Sequence, residues 1–242
     1  MLDADRQGGQ VSPKEGISMI TNSTLLFLRD LKKHNTRDWF DKNRTRYKAA
    51  REEFILLVDA VIAGIANFEP HVLELEPENC IFRINRDTRF SKDKTPYKTH
   101  LGAFITDRGR KVTRAGYYVH LEPGECLIAG GLYMPPAPET KAIRETIMND
   151  AASLRKIIGR AQFTAAFGKE LPGARVKTAP RGVPKDHPAI DLLRLKSYEI
   201  SHDVTDHAML SPGMAETAVK HYAIMHDYVA WLNVAIDRHL KT

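Results

Sequence analysis

Two things that the sequence lacks restrict the class of protein. Among 242 residues there are only two cysteines, Cys80 and Cys126, and they do not form the short-spaced pair of a thiol metal site. Such a low content is typical of a reduced, cytosolic protein. No apolar run approaches the roughly 20 residues of a membrane-spanning helix, and the first residues, MLDADRQGGQ, are too polar for a secretory signal. The sequence therefore predicts a cytoplasmic protein with no membrane span.

Familiar catalytic motifs are missing as well. The chain has no GxxxxGK[ST] phosphate loop, no GxGxxG, no HExxH and no GxSxG. The segment SHDVTDH, residues 201–207, contains metal-ligand side chains, but its spacing matches no strong template and a polar turn is the simpler interpretation. We therefore predict no metal site from the sequence and leave the cofactor open.

What is present indicates a folded, mildly basic domain. Hydrophobic residues make up 43% of the chain, enough to bury a core. Lysine and arginine number 36 against 30 acidic residues, which gives a net charge of +6 and favours anionic partners wherever the excess is local.

The pattern along the chain predicts one α+β domain over residues 21–242 behind a flexible leader, residues 1–20. Helical spacing appears in the N-terminal part and again, most clearly, near the C-terminus. The predicted helices cover residues 25–34, 36–68, 138–150, 152–160, 188–195 and 218–240. The predicted strands cover residues 80–84, 100–106, 116–121, 125–132 and 197–201. We expect a central antiparallel β-meander, with N-terminal helices and a long C-terminal helix packed on it.

The segment 83–100, here called the basic stretch, concentrates the positive charge. It holds six basic residues against two acidic ones, together with hydroxyl groups, an aromatic ring and a proline. Arginine and lysine side chains of this kind match phosphate or carboxylate oxygens, and Pro96 favours an ordered loop. We predict an anion site here whose ligand-binding residues are Arg83, Arg86, Arg89, Lys94, Tyr97, Lys98 and, from a distant loop, Arg181. The alternative is a solvated loop in which Asp87 and Asp93 neutralise the basic groups.

The long motifs around this stretch carry a resemblance to a known family. RINRDTRFSKDKTPYKTHLGAF, AGYYVHLEPGE and GGLYMP resemble the bacterial and fungal family catalogued as domain of unknown function 2461. The resemblance extends upstream to FLRDLKKHNTRDWFDKNRTRY and downstream to APRGVPKDHPAIDLLRLKSY, and so covers nearly all of the chain after residue 20. It implies a single α+β domain and places the basic stretch in the family signature, but it implies no activity.

Two further basic clusters have competing interpretations. In NTRDWFDKNRTRY, aromatic side chains alternate with arginines as in a nucleic-acid reader, but helical spacing favours burial of Trp39, Phe40 and Tyr47 in the core. In KTAPRGVPKDHP, Arg181 could complete the anion site or stay in solvent, and Asp186 is predicted to cap the following helix.

Acid–base chemistry has only weak candidates, Asp87 and His100. Arginines beside Asp87 favour its ionised form, and His100 or His120 could act as a base only if it faces a pocket. The leading prediction is binding of an anionic small molecule, most simply one that bears phosphate. The alternatives are an enzyme acting on a phosphorylated or nucleotide substrate, a nucleic-acid-binding module, and a purely structural basic stretch.

Overall fold

Helices at both ends of the chain enclose a four-stranded sheet. The computed structural model describes residues 19–110 and 112–240; the predicted leader lies outside this part except for its last two residues. The strands are β1 (Leu101–Ile105), β2 (Gly116–Leu121), β3 (Leu127–Leu132) and β4 (Tyr198–Asp203). The α-helices are α1 (Asn22–Lys33), α2 (Arg37–Lys42), α3 (Arg44–Ile65), α4 (Pro77–Cys80), α5 (Ala137–Ile158), α6 (Ala161–Phe167), α7 (Ile190–Leu193), α8 (Asp206–Met209) and α9 (Met214–Leu240).

The sheet is an antiparallel meander in the order β1-β2-β3-β4. Successive side chains of a strand point to opposite faces, and Tyr117, Val119 and Leu121 are fully buried while Tyr118 and His120 are less so. The first set therefore faces the core, and the second set lies on the outer face. The predicted fold class, an α+β meander with a long C-terminal helix, is confirmed.

Helix α9 packs against the inner face of the sheet. Its buried stripe contains Tyr222, Met225 and Val229, and the Tyr222 hydroxyl donates to the carbonyl oxygen of Tyr118 in β2 (2.8 Å). Gly130 in β3 leaves the space that the Met225 side chain occupies. The buried hydrophobic residues form one cluster that extends from Ile20 in the N-terminal part to α9; the single domain stays a prediction.

The aromatic residues of the N-terminal part are packed as predicted. Phe40 is buried, and Trp39 and Tyr47 lie against the core. The rings of all three surround Phe27 at centroid distances of 6.1–6.4 Å. No helix in the part of the chain that the structure describes is long and apolar enough to cross a membrane.

Two local predictions are wrong. Residues 80–84 do not form a strand: α4 ends at Cys80, and one isolated bridge then joins Ile81 to Ala103 of β1. Asp186 does not cap a helix, because α7 begins only at Ile190 and the preceding backbone N–H of Ala189 donates to His187 Nδ1 (3.1 Å). By contrast, the two helices predicted on either side of residue 151 are confirmed: α5 consists of two helical segments joined at a kink, where Asp150 has non-helical backbone angles.

Candidate functional site

The basic stretch is held in place by a hairpin-like pairing of its two ends. The N–H of Phe82 donates to Gly102 O (2.9 Å), that of Lys98 to Ile84 O (2.8 Å), and that of Arg86 to Pro96 O (2.9 Å). These bonds align residues 82–86 with residues 96–102, next to β1. The segment between them, residues 87–95, therefore forms a loop beside the sheet.

Tyr97, one of the predicted ligand contacts, anchors this hairpin to the N-terminal helices. Asn35 donates to Tyr97 O (2.9 Å) and accepts from Tyr97 N–H (3.1 Å). The Tyr97 ring stacks on Phe40 with centroids 3.9 Å apart, and only 6% of the residue is exposed. Packing against Phe40 therefore occupies the Tyr97 ring, which we predicted from the sequence to contact a ligand.

Several basic groups of the loop are neutralised within it. Arg86 bonds the Asp93 carboxylate and the Thr95 hydroxyl, Arg89 pairs with Asp87 (2.7 Å), and Lys94 Nζ donates to Thr88 O (2.9 Å). The amide of Thr95, followed by Arg86, lowers the pKa of Asp93 to about 2. The hydrogen bond from Arg89 likewise lowers the pKa of the exposed Asp87, so this carboxylate is an ion-pair partner and a poor proton donor.

This pairing leads to a prediction about stability. Arg86→Ala should lower the free energy of unfolding by about 1 kcal/mol, because it removes the guanidinium group that bonds both Asp93 and Thr95, which then keep their bonds to each other. For a chain of this size the thermal midpoint should fall by about 2–4 °C. The control is Arg89→Ala: Arg89 and Asp87 are 77% and 45% exposed, so this variant should leave the thermal midpoint almost unchanged. Equal effects of the two variants in thermal unfolding would contradict a structural role for Arg86.

Three other basic residues, Arg83, Lys98 and Arg110, form what we call the cation cluster. Lys98 Nζ and the Arg110 guanidinium carbon lie 5.1 and 5.5 Å from the centre of the Phe82 ring. Burial, followed by the charges of Arg83 and Arg110, lowers the pKa of Lys98. Among residues 19–110 and 112–240, none of the salt bridges involves a member of this cluster. Positive charge is therefore concentrated here without a direct ion pair, although the Asp87 carboxylate lies close enough to Arg83 for the arginine to help lower its pKa.

Next to the cation cluster, the outer face of β1 and β2 carries two histidines and a glutamate. His120 Nε2 and His100 Nδ1 lie 3.2 and 3.6 Å from Glu122 Oε2. The two imidazole rings are 4.3 Å apart between centroids. Within the described part of the chain these three residues are the one group whose ligand atoms, all within 4.8 Å of one another, could hold a metal ion. We call this group the His–Glu centre.

Neighbouring polar groups orient the His–Glu centre. Thr99 Oγ1 donates to Glu122 Oε1 (2.7 Å), and Lys32 Nζ approaches the same oxygen (3.4 Å). The Tyr118 hydroxyl bonds His120 Nδ1 (2.8 Å). An added Cβ at Gly102 would come within 2.5 Å of that hydroxyl, so glycine provides the space for the tyrosine.

The electrostatics of the His–Glu centre follow from burial and from these bonds. Burial alone would raise the pKa of Glu122, but hydrogen bonds from Thr99, His120 and Lys32 outweigh it, and the pKa is lowered. Burial, with His120 and Lys98 acting in the same direction and Glu122 against them, lowers the pKa of His100 to about 4. At neutral pH the centre therefore combines an ionised carboxylate with a neutral imidazole at His100, which suits proton acceptance or metal ligation.

The predicted site residues thus separate into groups. Arg83 and Lys98 lie in the cation cluster, and His100 lies in the His–Glu centre. Arg86, Arg89 and Lys94 bond within the loop, and Arg181 is exposed with no hydrogen bond or ion pair to either group among the described residues. Glu122 and Arg110 were not predicted as site residues. The alternation of Tyr118, His120 and Glu122 along the chain places these three side chains on one face of the sheet and could have indicated Glu122.

Comparison with known proteins identifies a family but no individual similar protein. A family model described as "Conserved hypothetical protein (DUF2461)" matches residues 23–231, which is most of the chain. No significant match was found among curated proteins or among solved structures.

Proposed function

The chain belongs to the family of conserved hypothetical proteins DUF2461, and we propose that it binds a phosphate-bearing or otherwise anionic small molecule at the cation cluster. The observation that carries this proposal is the proximity of Arg83, Lys98 and Arg110, none of which forms a salt bridge within the described chain. The pKa of Lys98 is lowered first by burial and then by the charges of Arg83 and Arg110, so the charged form of Lys98 is destabilised in the folded protein. A bound anion would offset the repulsion among these three positive charges.

The type of side chain also fits an anion. Guanidinium groups donate two hydrogen bonds in parallel to carboxylate or phosphate oxygens, and a lysine adds a point charge. Phe82 supports both Lys98 and Arg110 through cation–π contacts, which hold the charges together in the absence of ligand. The site differs from the predicted one because Arg86, Arg89 and Lys94 belong to the scaffold of the loop.

An enzyme acting on a phosphorylated or nucleotide substrate is the second candidate. It is favoured by the buried Glu122 between two histidines, since a carboxylate and an imidazole beside a basic surface can exchange protons with a bound substrate. Lys98, which influences the pKa of His100, connects the cation cluster to this centre. In this proposal His100 remains the candidate proton carrier, whereas Asp87 does not.

Nucleic-acid binding has less support, because a broad basic face would need the other clusters. Arg44 and Arg46 are paired with Asp41 (2.5 Å) and Asp30 (2.8 Å). Cytoplasmic location is part of the proposal and is supported by Cys80 and Cys126, which are both buried free thiols.

The proposal is tested by titrating the protein with inorganic phosphate, pyrophosphate and sulfate in the presence of a chelator. We expect saturable heat of binding and a thermal midpoint that rises with anion concentration. Arg83→Ala should weaken the affinity roughly 10-fold, about 1.4 kcal/mol.

The control is Lys92→Ala, which removes a positive charge from the same loop outside the cation cluster. It should leave the affinity within about 2-fold of the parent, because exposed charges act weakly at physiological salt. Absence of binding in the parent protein, or equal losses in the Arg83 and Lys92 variants, would rule out the cation cluster as the site.

A further inference from the structure

We propose that His100, His120 and Glu122 bind one divalent transition-metal ion through His100 Nδ1, His120 Nε2 and Glu122 Oε2. This inference goes beyond anion binding and does not depend on it. It concerns the outer face of β1 and β2, where the side chains of the His–Glu centre converge.

Two of the three distances between ligand atoms are close to those of a metal-bound site, and all three atoms lie within 4.8 Å of one another. Ligand atoms about 2.1 Å from an ion, at angles between octahedral and tetrahedral, are separated by roughly 3.0–3.4 Å. Glu122 Oε2 lies 3.2 Å from His120 Nε2 and 3.6 Å from His100 Nδ1. Small side-chain adjustments would therefore bring the three atoms around one ion.

The two oxygens of Glu122 have separate environments, and this asymmetry points to a metal. Oε1 accepts from Thr99 (2.7 Å) and Lys32 (3.4 Å). Oε2 faces only the two imidazoles, 3.2 and 3.6 Å away. Carboxylates that ligate metals are commonly held by hydrogen bonds from surrounding groups, and here those bonds are made by the oxygen that would not ligate.

Tyr118 completes the support on the histidine side. Metal-binding histidines usually donate their second ring N–H to an acceptor, which fixes the ring orientation. With His120 Nε2 on the ion, its Nδ1–H would donate to the Tyr118 hydroxyl, which already lies 2.8 Å away. Gly102 keeps the space for that hydroxyl open.

The ligand set selects the class of metal. Two imidazole nitrogens and one carboxylate oxygen suit Zn²⁺, Fe²⁺, Co²⁺ or Mn²⁺, whereas Ca²⁺ and Mg²⁺ prefer oxygen ligands alone. Three protein ligands are also the number found in catalytic zinc sites and in non-haem iron sites, where further positions stay open. Such an ion would polarise an oxygen of a ligand bound beside Lys98.

The test is a titration of chelator-treated protein with Co²⁺, followed by visible absorption, and then competition by Zn²⁺. We expect one ion per chain, displaced by Zn²⁺, with no displacement by a large excess of Mg²⁺. His100→Gln and His120→Gln should each weaken Co²⁺ binding at least 100-fold. Tyr118→Phe should weaken it about 10-fold, as losses of supporting hydrogen bonds usually do.

The matched control is His221→Gln. His221 and His202 form another pair of neighbouring imidazoles, with ring centroids 4.1 Å apart, but they belong to no metal-ligand group among the described residues. This variant should bind Co²⁺ like the parent, and circular dichroism and thermal unfolding should show native folding of each variant. Failure of the parent to bind one equivalent, or unchanged binding in both folded variants of His100 and His120, would overturn the proposal.

The metal and anion proposals can fail separately. The Co²⁺ titration contains no phosphate-type anion, and Arg83→Ala should bind Co²⁺ at least as tightly as the parent. Phosphate binding is measured with chelator present, so its absence there would leave the metal result unaffected.

Discussion

Replacing Lys98 by glutamate is expected to abolish phosphate binding and to raise the thermal midpoint of the protein. The first effect has two sources: a cationic contact is lost, and the new carboxylate would pair with Arg83 and Arg110 in place of the ligand. Together they should weaken the affinity for phosphate or pyrophosphate at least 100-fold, about 2.7 kcal/mol.

The expected gain in stability also has an electrostatic origin. Burial, followed by the two arginines, disfavours the charged form of Lys98 in the folded protein. A carboxylate at this position would keep the cost of burial but would turn the repulsion by the arginines into attraction. The lost contact between Lys98 and Phe82 offsets part of this gain. Because position 98 is partly exposed, solvent screening also reduces the gain, and we expect the midpoint to rise by only about 1–2 °C. Stability held below its optimum is characteristic of functional sites.

Titration calorimetry and thermal unfolding at equal salt measure the two effects. Lys92→Glu makes the same change of charge at an exposed position of the loop and should alter affinity only a few-fold. A Lys98→Glu protein that still bound phosphate normally would exclude the cation cluster as the ligand site. A Lys98→Glu protein much less stable than the parent would instead make Lys98 a structural residue.

Gly131→Ala is expected to cost about 3 kcal/mol or more of folding free energy, the largest loss of stability that we predict. Gly131 has a φ of +115° in β3, a conformation that L-residues rarely adopt. An added Cβ would also overlap the carbonyl oxygen of Tyr198 in the neighbouring strand β4. Backbone strain and overpacking cost roughly 1–3 kcal/mol each, and this backbone atom cannot move without disturbing the pairing of β3 with β4.

Two other glycines separate these contributions. Gly124 has a φ of +82° but nothing within 4 Å of an added Cβ, so Gly124→Ala measures the conformational cost alone. At Gly130 an added Cβ would lie 2.6 Å from Met225 Sδ, a flexible side chain that can move. Denaturant unfolding should rank Gly131→Ala as the least stable of the three. If Gly131→Ala and Gly124→Ala lost equal stability, the overlap with Tyr198 would contribute nothing.

The fold was largely predictable because its signals are local. Alternation of buried residues in β2, and the helical spacing of Tyr222, Met225 and Val229 in α9, can be detected within a few residues of the chain. The failures occurred where tertiary contacts outweigh local preference. Residues 80–84 looked like a strand, but only Ile81 forms a bridge to β1, and Asp186 looked like a helix cap, but α7 begins only at Ile190.

The site was only partly predictable. Charge and residue type located the basic stretch and included Arg83, Lys98 and His100. They could not distinguish Lys98, which lacks a salt-bridge partner within the described chain, from Arg86, which bonds Asp93 and Thr95. Arg110 and Glu122 join the site from positions outside the stretch, brought there by the Phe82 ring and by the register of β1 against β2.

By itself, therefore, the sequence determined the α+β meander, the long C-terminal helix and the concentration of positive charge in residues 83–100. Hydrophobic periodicity and charge are properties of neighbouring residues, so they can be read without coordinates. Only the tertiary structure decided which charges are neutralised and that His100, His120 and Glu122 meet. Pairing depends on which side chains come within a few ångströms of each other, and strand register and long-range packing set those distances.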